Sequence, residues 1–139
     1  MLTARVKWVD EFQFVGESGS GHAIVMDASP EAGKIRTGMT PMEMLLVGAG
    51  GCSGMDVVSI LRKKRQEVSD IEVKVSGEKS ESYPQKFISM QLEYIVTGKN
   101  IAEDAVKKAI ELSMEKYCSV KATLEGSAKI TYSYKIVST

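Results

Sequence analysis

The chain has 139 residues, enough for one domain with a substantial core and short for two. A hydrophobic content of 43% argues against disorder, and 18 Lys+Arg against 18 Asp+Glu leave no broad basic field for a phosphate backbone, so nucleic acid is not expected as a partner. The start, MLTARVKWVDEFQF, carries charge too early for a signal peptide, and no stretch reaches the roughly 18 to 20 uninterrupted apolar residues of a membrane span, so the expectation is a cytoplasmic protein without a membrane partner.

TARVKWV (3–9) and EFQFVG (11–16) alternate on either side of Asp10 and predict a hairpin; ESGSG (17–21) is a turn and HAIVMD (22–27) a third strand, giving a three-stranded meander. ASPEAGKIRTGM (28–39), with Pro30, Gly33 and Gly38, reads as a surface loop. Thr40 then suits a helix N-cap, Pro41 the first helical position and Glu43 the capping-box acceptor, opening a helix expected to end near Arg65, where RKKR complements the macrodipole.

DIEVKVSGEKSE (70–81) and KFISMQLEYIVTG (86–98) alternate around Tyr83, Pro84 and Gln85 and predict a second hairpin. NIAEDAVKKAIELSMEKYC (100–118) is a second helix, with Asn100 as its cap and Ala102, Val106, Ala109, Ile110, Ser113 and Tyr117 at helical spacing; Cys118 falls at its end. SAKITYSYKIV (127–137) closes the chain as a strand. The fold class is therefore α+β in a single domain, residues 1–139.

Chemistry centres on MLLVGAGGCSGMDVVSIL (44–61), where Gly48, Gly50, Gly51 and Gly54 surround Cys52. Glycine costs about 0.8 to 1 kcal/mol relative to alanine inside a helix, so close approach by another helix or backbone must compensate. Cys52 and Cys118 are the two cysteines and His22 the one histidine; there is no CxxC, and this set does not make a zinc site, so no metal is expected. Two readings stand for the cysteines: buried apolar filler, or working thiols on packed helices within disulfide reach. GAGG follows no strand and lacks GK[ST], which rules against a phosphate loop. His22, beside a Gly-rich turn, reads as a surface histidine, and the methionines as adaptable packing.

TPMEMLLVGAGGCSGMDVV (40–58) resembles the Pro-x-Glu-x-Leu-Leu helix with its Gly/Ala-rich cysteine of the OsmC/Ohr family of organic hydroperoxide reductases. AIELSMEKYCSVKATLEGSAKITYSY (109–134) resembles that family's second helix, Cys-[PS]-Val segment and closing strand. The GGCSGMDVVSIL form is most similar to the YhfA-like branch. The resemblance implies an intertwined homodimer, with antiparallel sheets wrapped around two central cysteine-bearing helices and active sites at the subunit interface. It also implies a thiol peroxidase that needs no cofactor. By matching positions, Cys52 is implied as the peroxidatic thiol, attacking an organic hydroperoxide to give a sulfenic acid, and Cys118 as the resolving thiol that condenses with it. A dithiol reductant, lipoyl-type or thioredoxin-like, would restore the pair.

Glu43 matches the glutamate that holds an arginine near the reactive sulfur in the family. Nine residues separate it from Cys52, about two and a half helical turns, so the two face opposite sides and such a Glu43 would serve the other subunit's Cys52. Arg36 is the candidate arginine, with Arg5 the other; a solvated loop charge is the plain reading of Arg36. The alternatives to catalysis are a redox sensor or small apolar ligand-binding protein of the same fold, and inert cysteines in a dimer core.

Overall fold

The early alternation becomes three strands, β1 (Ala4–Asp10), β2 (Gln13–Ser18) and β3 (Ala23–Met26), in the computed structural model, which describes residues 1–28 and 34–139. They pair in the order β1-β2-β3 with antiparallel neighbours, as the meander predicts. Glu11, at φ 51°, turns the first hairpin, and the Trp8 indole N–H donates to the Glu11 carbonyl at 2.8 Å. Pro30 and Gly33 of the expected loop lie outside the described residues; beyond them, Met39 bridges back to Met26. Residues Met1–Leu45 form one compact unit and Leu46–Thr139 a second.

Helix α1 (Pro41–Lys63) begins with the reciprocal cap its sequence predicts. The Glu43 amide donates to Thr40 Oγ1 at 3.1 Å, and the Thr40 amide donates to Glu43 Oε1 at 2.9 Å. The helix stops two residues short of Arg65, which turns the chain at φ 57°. By length and composition α1 is apolar enough to cross a bilayer, a property that counting uninterrupted apolar residues does not register. Ala49, Gly50, Ser53, Val57 and Leu61 are nonetheless buried against protein.

The second unit is built on β4 (Glu67–Lys79), β5 (Phe87–Lys99) and β6 (Lys129–Ser138), in the order β4-β5-β6. β4 and β5 form the expected hairpin, but β6 runs parallel to β5, correcting the expectation of wholly antiparallel sheets. The cause is the connection: the helical segment between Lys99 and Lys129 carries the chain back to the end where β5 began, a crossover that gives parallel neighbours. β5 is the central strand, and its alternate residues Met90, Leu92, Tyr94 and Val96 are buried. Leu92, Tyr94 and Val96 share one core with Val57 and Leu61 of α1 and with Val106, Ala109 and Ile110.

The second helix is not continuous over 100–118. It divides into α2 (Glu103–Leu112), a π-helical turn (Ser113–Tyr117) and α3 (Ser119–Leu124). Asn100 is not its cap: Asn100 adopts φ 50°, Ala102 is the N-cap residue without a side-chain bond, and the Ala102 amide donates to Gln66 Oε1 at 2.9 Å. The π turn closes when the Cys118 amide donates to the Ser113 carbonyl, five residues back, at 2.8 Å. That widened turn rotates the register, so Met114 is buried while Tyr117, on the predicted apolar stripe, is 49% exposed.

Candidate functional site

The glycines around Cys52 divide into two pairs. A Cβ on Gly50 would stand 2.9 Å from Val75 Cγ2, and one on Gly54 3.5 Å from Val73 Cγ2, so these positions let α1 lie against β4. The close neighbour in the second unit is thus a strand rather than another helix. Among the described residues, a Cβ at Gly48 or Gly51 would meet nothing within 4 Å, and with Val47 (59% exposed) and Met55 (75% exposed) these glycines form a small and apolar stripe. Cys52, between these sides, is half-buried and packs against the core cluster that contains Cys118.

Cys118 is buried where the π turn meets α3. It is the N-cap of α3, with Sγ accepting from the Lys121 amide at 3.4 Å. Burial pushes its thiol up to about 11, the adjoining Cys52 thiol and the Asp56 carboxylate push the same way, and the Lys121 amide opposes them. Both cysteines are free, and Cys52 packs against the core cluster to which Cys118 belongs. At neutral pH Cys118 is therefore a neutral thiol.

Beside the thiols runs a buried chain of hydroxyls that the sequence reading did not single out. Ser113 Oγ donates to Asp56 Oδ2 at 2.8 Å, Ser53 Oγ lies 2.7 Å from Ser113 Oγ, and the Tyr94 hydroxyl bonds Ser53 Oγ. Ser53, Ser113 and Tyr94 are all fully buried. Each hydroxyl has one proton, so the bond to Asp56 fixes the direction of the rest: Tyr94 donates to Ser53, Ser53 to Ser113, and Ser113 to the carboxylate. Burial raises Tyr94 to about 12, against the lowering effect of its bond to Ser53. The available signal was a polar residue on a buried stripe: Ser113 sits on the apolar face of the second helix pattern, and Ser53 follows Cys52.

In the first unit, Arg36 and Glu43 come together. Arg36 Nη1 donates to Glu43 Oε1 at 2.8 Å, so Arg36 is anchored rather than a free loop charge. The Thr40 amide, the Thr40 hydroxyl and then Arg36 hold the Glu43 carboxyl below its ordinary value, against partial desolvation. The Arg36 Nε–H is buried and has no hydrogen-bond partner among the described residues. Arg5 lies exposed on β1, and His22 is exposed at a turn with Nδ1 3.0 Å from Ser20 Oγ, as its plain reading predicts.

A family model described as OsmC-like protein matches residues 32–133. Protein YhfA of Escherichia coli strain K12 is 50% identical over 136 residues, covering 98% of each chain. The crystal structure of a hypothetical protein from Aquifex aeolicus VF5 is similar, with a TM-score of 0.83 and 34% identity over 98% of this chain and 97% of that one. The organic hydroperoxide resistance protein OhrB of Bacillus subtilis has the same fold, with a TM-score of 0.65 and 20% identity over 96% of this chain and 98% of that one.

Proposed function

Because the chain belongs to the OsmC-like family, we propose that it is a homodimeric thiol peroxidase that reduces organic hydroperoxides through Cys52 and Cys118. The observation that carries the reading is the packing of two free cysteines at one core cluster, Cys52 half-buried against it and Cys118 buried within it. Fold likeness to a protein described as an organic hydroperoxide resistance protein is consistent with it.

Cys52, as thiolate, attacks a peroxide oxygen. The O–O bond breaks, the sulfur becomes a sulfenic acid, and the departing alkoxide takes a proton to leave as alcohol. Cys118 then attacks the sulfenic sulfur; an S–S bond forms, and the Cys118 proton leaves with the displaced hydroxide as water. A neutral Cys118 suits this second role, because it does not compete for peroxide. A lipoyl-type or thioredoxin-like dithiol in a reducing cytoplasm returns two electrons by exchange.

By the family resemblance Arg36 is the candidate thiolate-stabilising cation; within its own unit it is held by Glu43 and keeps a buried Nε–H without a hydrogen-bond partner among the described residues. The uncovered Val47, Gly48, Gly51 and Met55 stripe supports a second copy as its cover, and the apolar residues there favour bulky hydroperoxides.

The test is intact mass of the reduced protein after stoichiometric cumene hydroperoxide, beside hydrogen peroxide, with Cys118→Ser in parallel. Loss of two hydrogens in the wild type and a trapped sulfenic acid in the variant are expected. No mass change within minutes rejects peroxide reduction and turns attention to a sensing or ligand-binding role.

A further inference from the structure

The thiol pair is tied to the hydroxyl chain at both ends. Ser53 follows Cys52 directly on α1, and Ser113, whose hydroxyl lies 2.7 Å from Ser53 Oγ, accepts the Cys118 amide on its carbonyl at 2.8 Å. One buried hydrogen bond therefore joins the two elements that a Cys52–Cys118 disulfide would join. Its direction is fixed from outside the pair, by the Asp56 carboxylate at one end and Tyr94 of β5 at the other.

We propose that the Tyr94–Ser53–Ser113–Asp56 chain is a latch that positions Cys118 for disulfide closure with Cys52, with Ser113 as its central positioning residue. The inference rests on the thiol-pair reading above but not on peroxide as the oxidant. A latch of this kind acts by preorganisation: the thiols are already confined before the S–S bond forms, so closure loses little further freedom. The π turn is the local device. Its extra residue per turn lets Ser113 bond inward through its hydroxyl while its carbonyl holds the Cys118 amide.

Asp56 has a second, separable effect. The titratable groups acting on Cys118 are Cys52 and Asp56 from α1, while Cys118, Asp56 and Tyr132 of β6 act in turn on Tyr94 of β5. The Asp56 charge favours the neutral Cys118 thiol, whereas its oxygen merely orients Ser113. Asn at position 56 would remove the charge and keep an acceptor oxygen.

The experiment equilibrates the full chain with mixtures of oxidised and reduced dithiothreitol and measures the Cys52–Cys118 disulfide fraction by alkylation and mass. In this exchange the dithiothreitol disulfide gains two electrons and two protons as both protein thiols are oxidised, so no peroxide is involved. Ser113→Ala is expected to lower the closure constant about tenfold, Ser113→Thr to remain within about threefold of wild type, and Asp56→Asn to do the same. In a Cys52→Ser background, Asp56→Asn should also shift the pH profile of Cys118 alkylation downward, a readout that a merely structural role would not move. Ser53→Ala reads the same constant if Ser113→Ala does not fold. A closure constant unchanged in the alanine variant, or a wild type that forms no Cys52–Cys118 disulfide at any ratio, overturns the latch. Normal closure without peroxide consumption instead rejects the peroxidase reading and leaves the latch standing.

Discussion

Arg36 Nη1 stands 2.8 Å from Glu43 Oε1, and that same carboxylate oxygen accepts the Thr40 amide at 2.9 Å. Glu43 therefore both caps α1 and anchors the arginine. One oxygen atom, Glu43 Oε1, makes both contacts.

That sharing has a pH consequence. The folded Glu43 carboxyl is held below its ordinary 4.5, so its contribution to stability is present above that value and disappears as pH falls through the lower folded value. Glu43→Gln should be less stable than wild type at neutral pH, with the difference narrowing in acid, as urea denaturation at a series of pH values would measure. Thr40→Ala should cost about 1 kcal/mol and keep the Arg36 partner in place.

Gly50 and Gly51 are adjacent in sequence and opposite in environment. Alanine at Gly50 brings Cβ to 2.9 Å from Val75 Cγ2, on a side chain too stiff to give way easily. The expected overpacking cost of about 1–3 kcal/mol exceeds the gain of about 0.8–1 kcal/mol in helix propensity, so Gly50→Ala should lower the unfolding free energy.

A Cβ at Gly51 meets open space among the described residues, and Gly51 is exposed, so on that ground alone Gly51→Leu should be tolerated. If a second copy covers the stripe, the same substitution blocks close approach. Sedimentation velocity should then find a wild-type dimer and a monomeric Gly51→Leu variant; a monomeric wild type would reject the homodimer.

Burial of Cys118 makes an alkaline prediction. Its folded value of about 11 lies above the ordinary 9.0, so the contribution to stability is full below pH 9.0 and is lost as pH rises toward 11. In Cys52→Ser protein, thiolate absorbance from Cys118 should emerge only near the upper end of that range. Emergence at or below the ordinary value would contradict the burial argument.

Leu92 is a check on the core itself. It is 1% exposed on the central strand and belongs to the cluster shared by α1 and α2. Leu92→Ala should cost about 2–5 kcal/mol, measured by denaturant unfolding of the reduced protein.

Much of this architecture is legible locally. Period-two alternation marks β1 to β5, the Thr40, Pro41 and Glu43 signature opens α1, and the order of motifs around Cys52 and Cys118 carries the family resemblance. These features were readable because each depends on neighbours a few residues away: a cap is made within one turn, and a pleat repeats every two residues.

Long-range partners decided the rest. A strand pattern does not state its direction, so the parallel pairing of β6 with β5 followed from where the helical crossover delivers the chain. Periodicity assumes a regular helix, and the π turn at Ser113 broke it, placing Tyr117 outward and Cys118 at the start of α3. Which glycines face β4 and which lie open depended on the sheet being in place. Tyr94, Ser53, Ser113 and Asp56 come from three separated segments, and only the packed core, where an unpaired hydroxyl is costly, made a single directed chain of them.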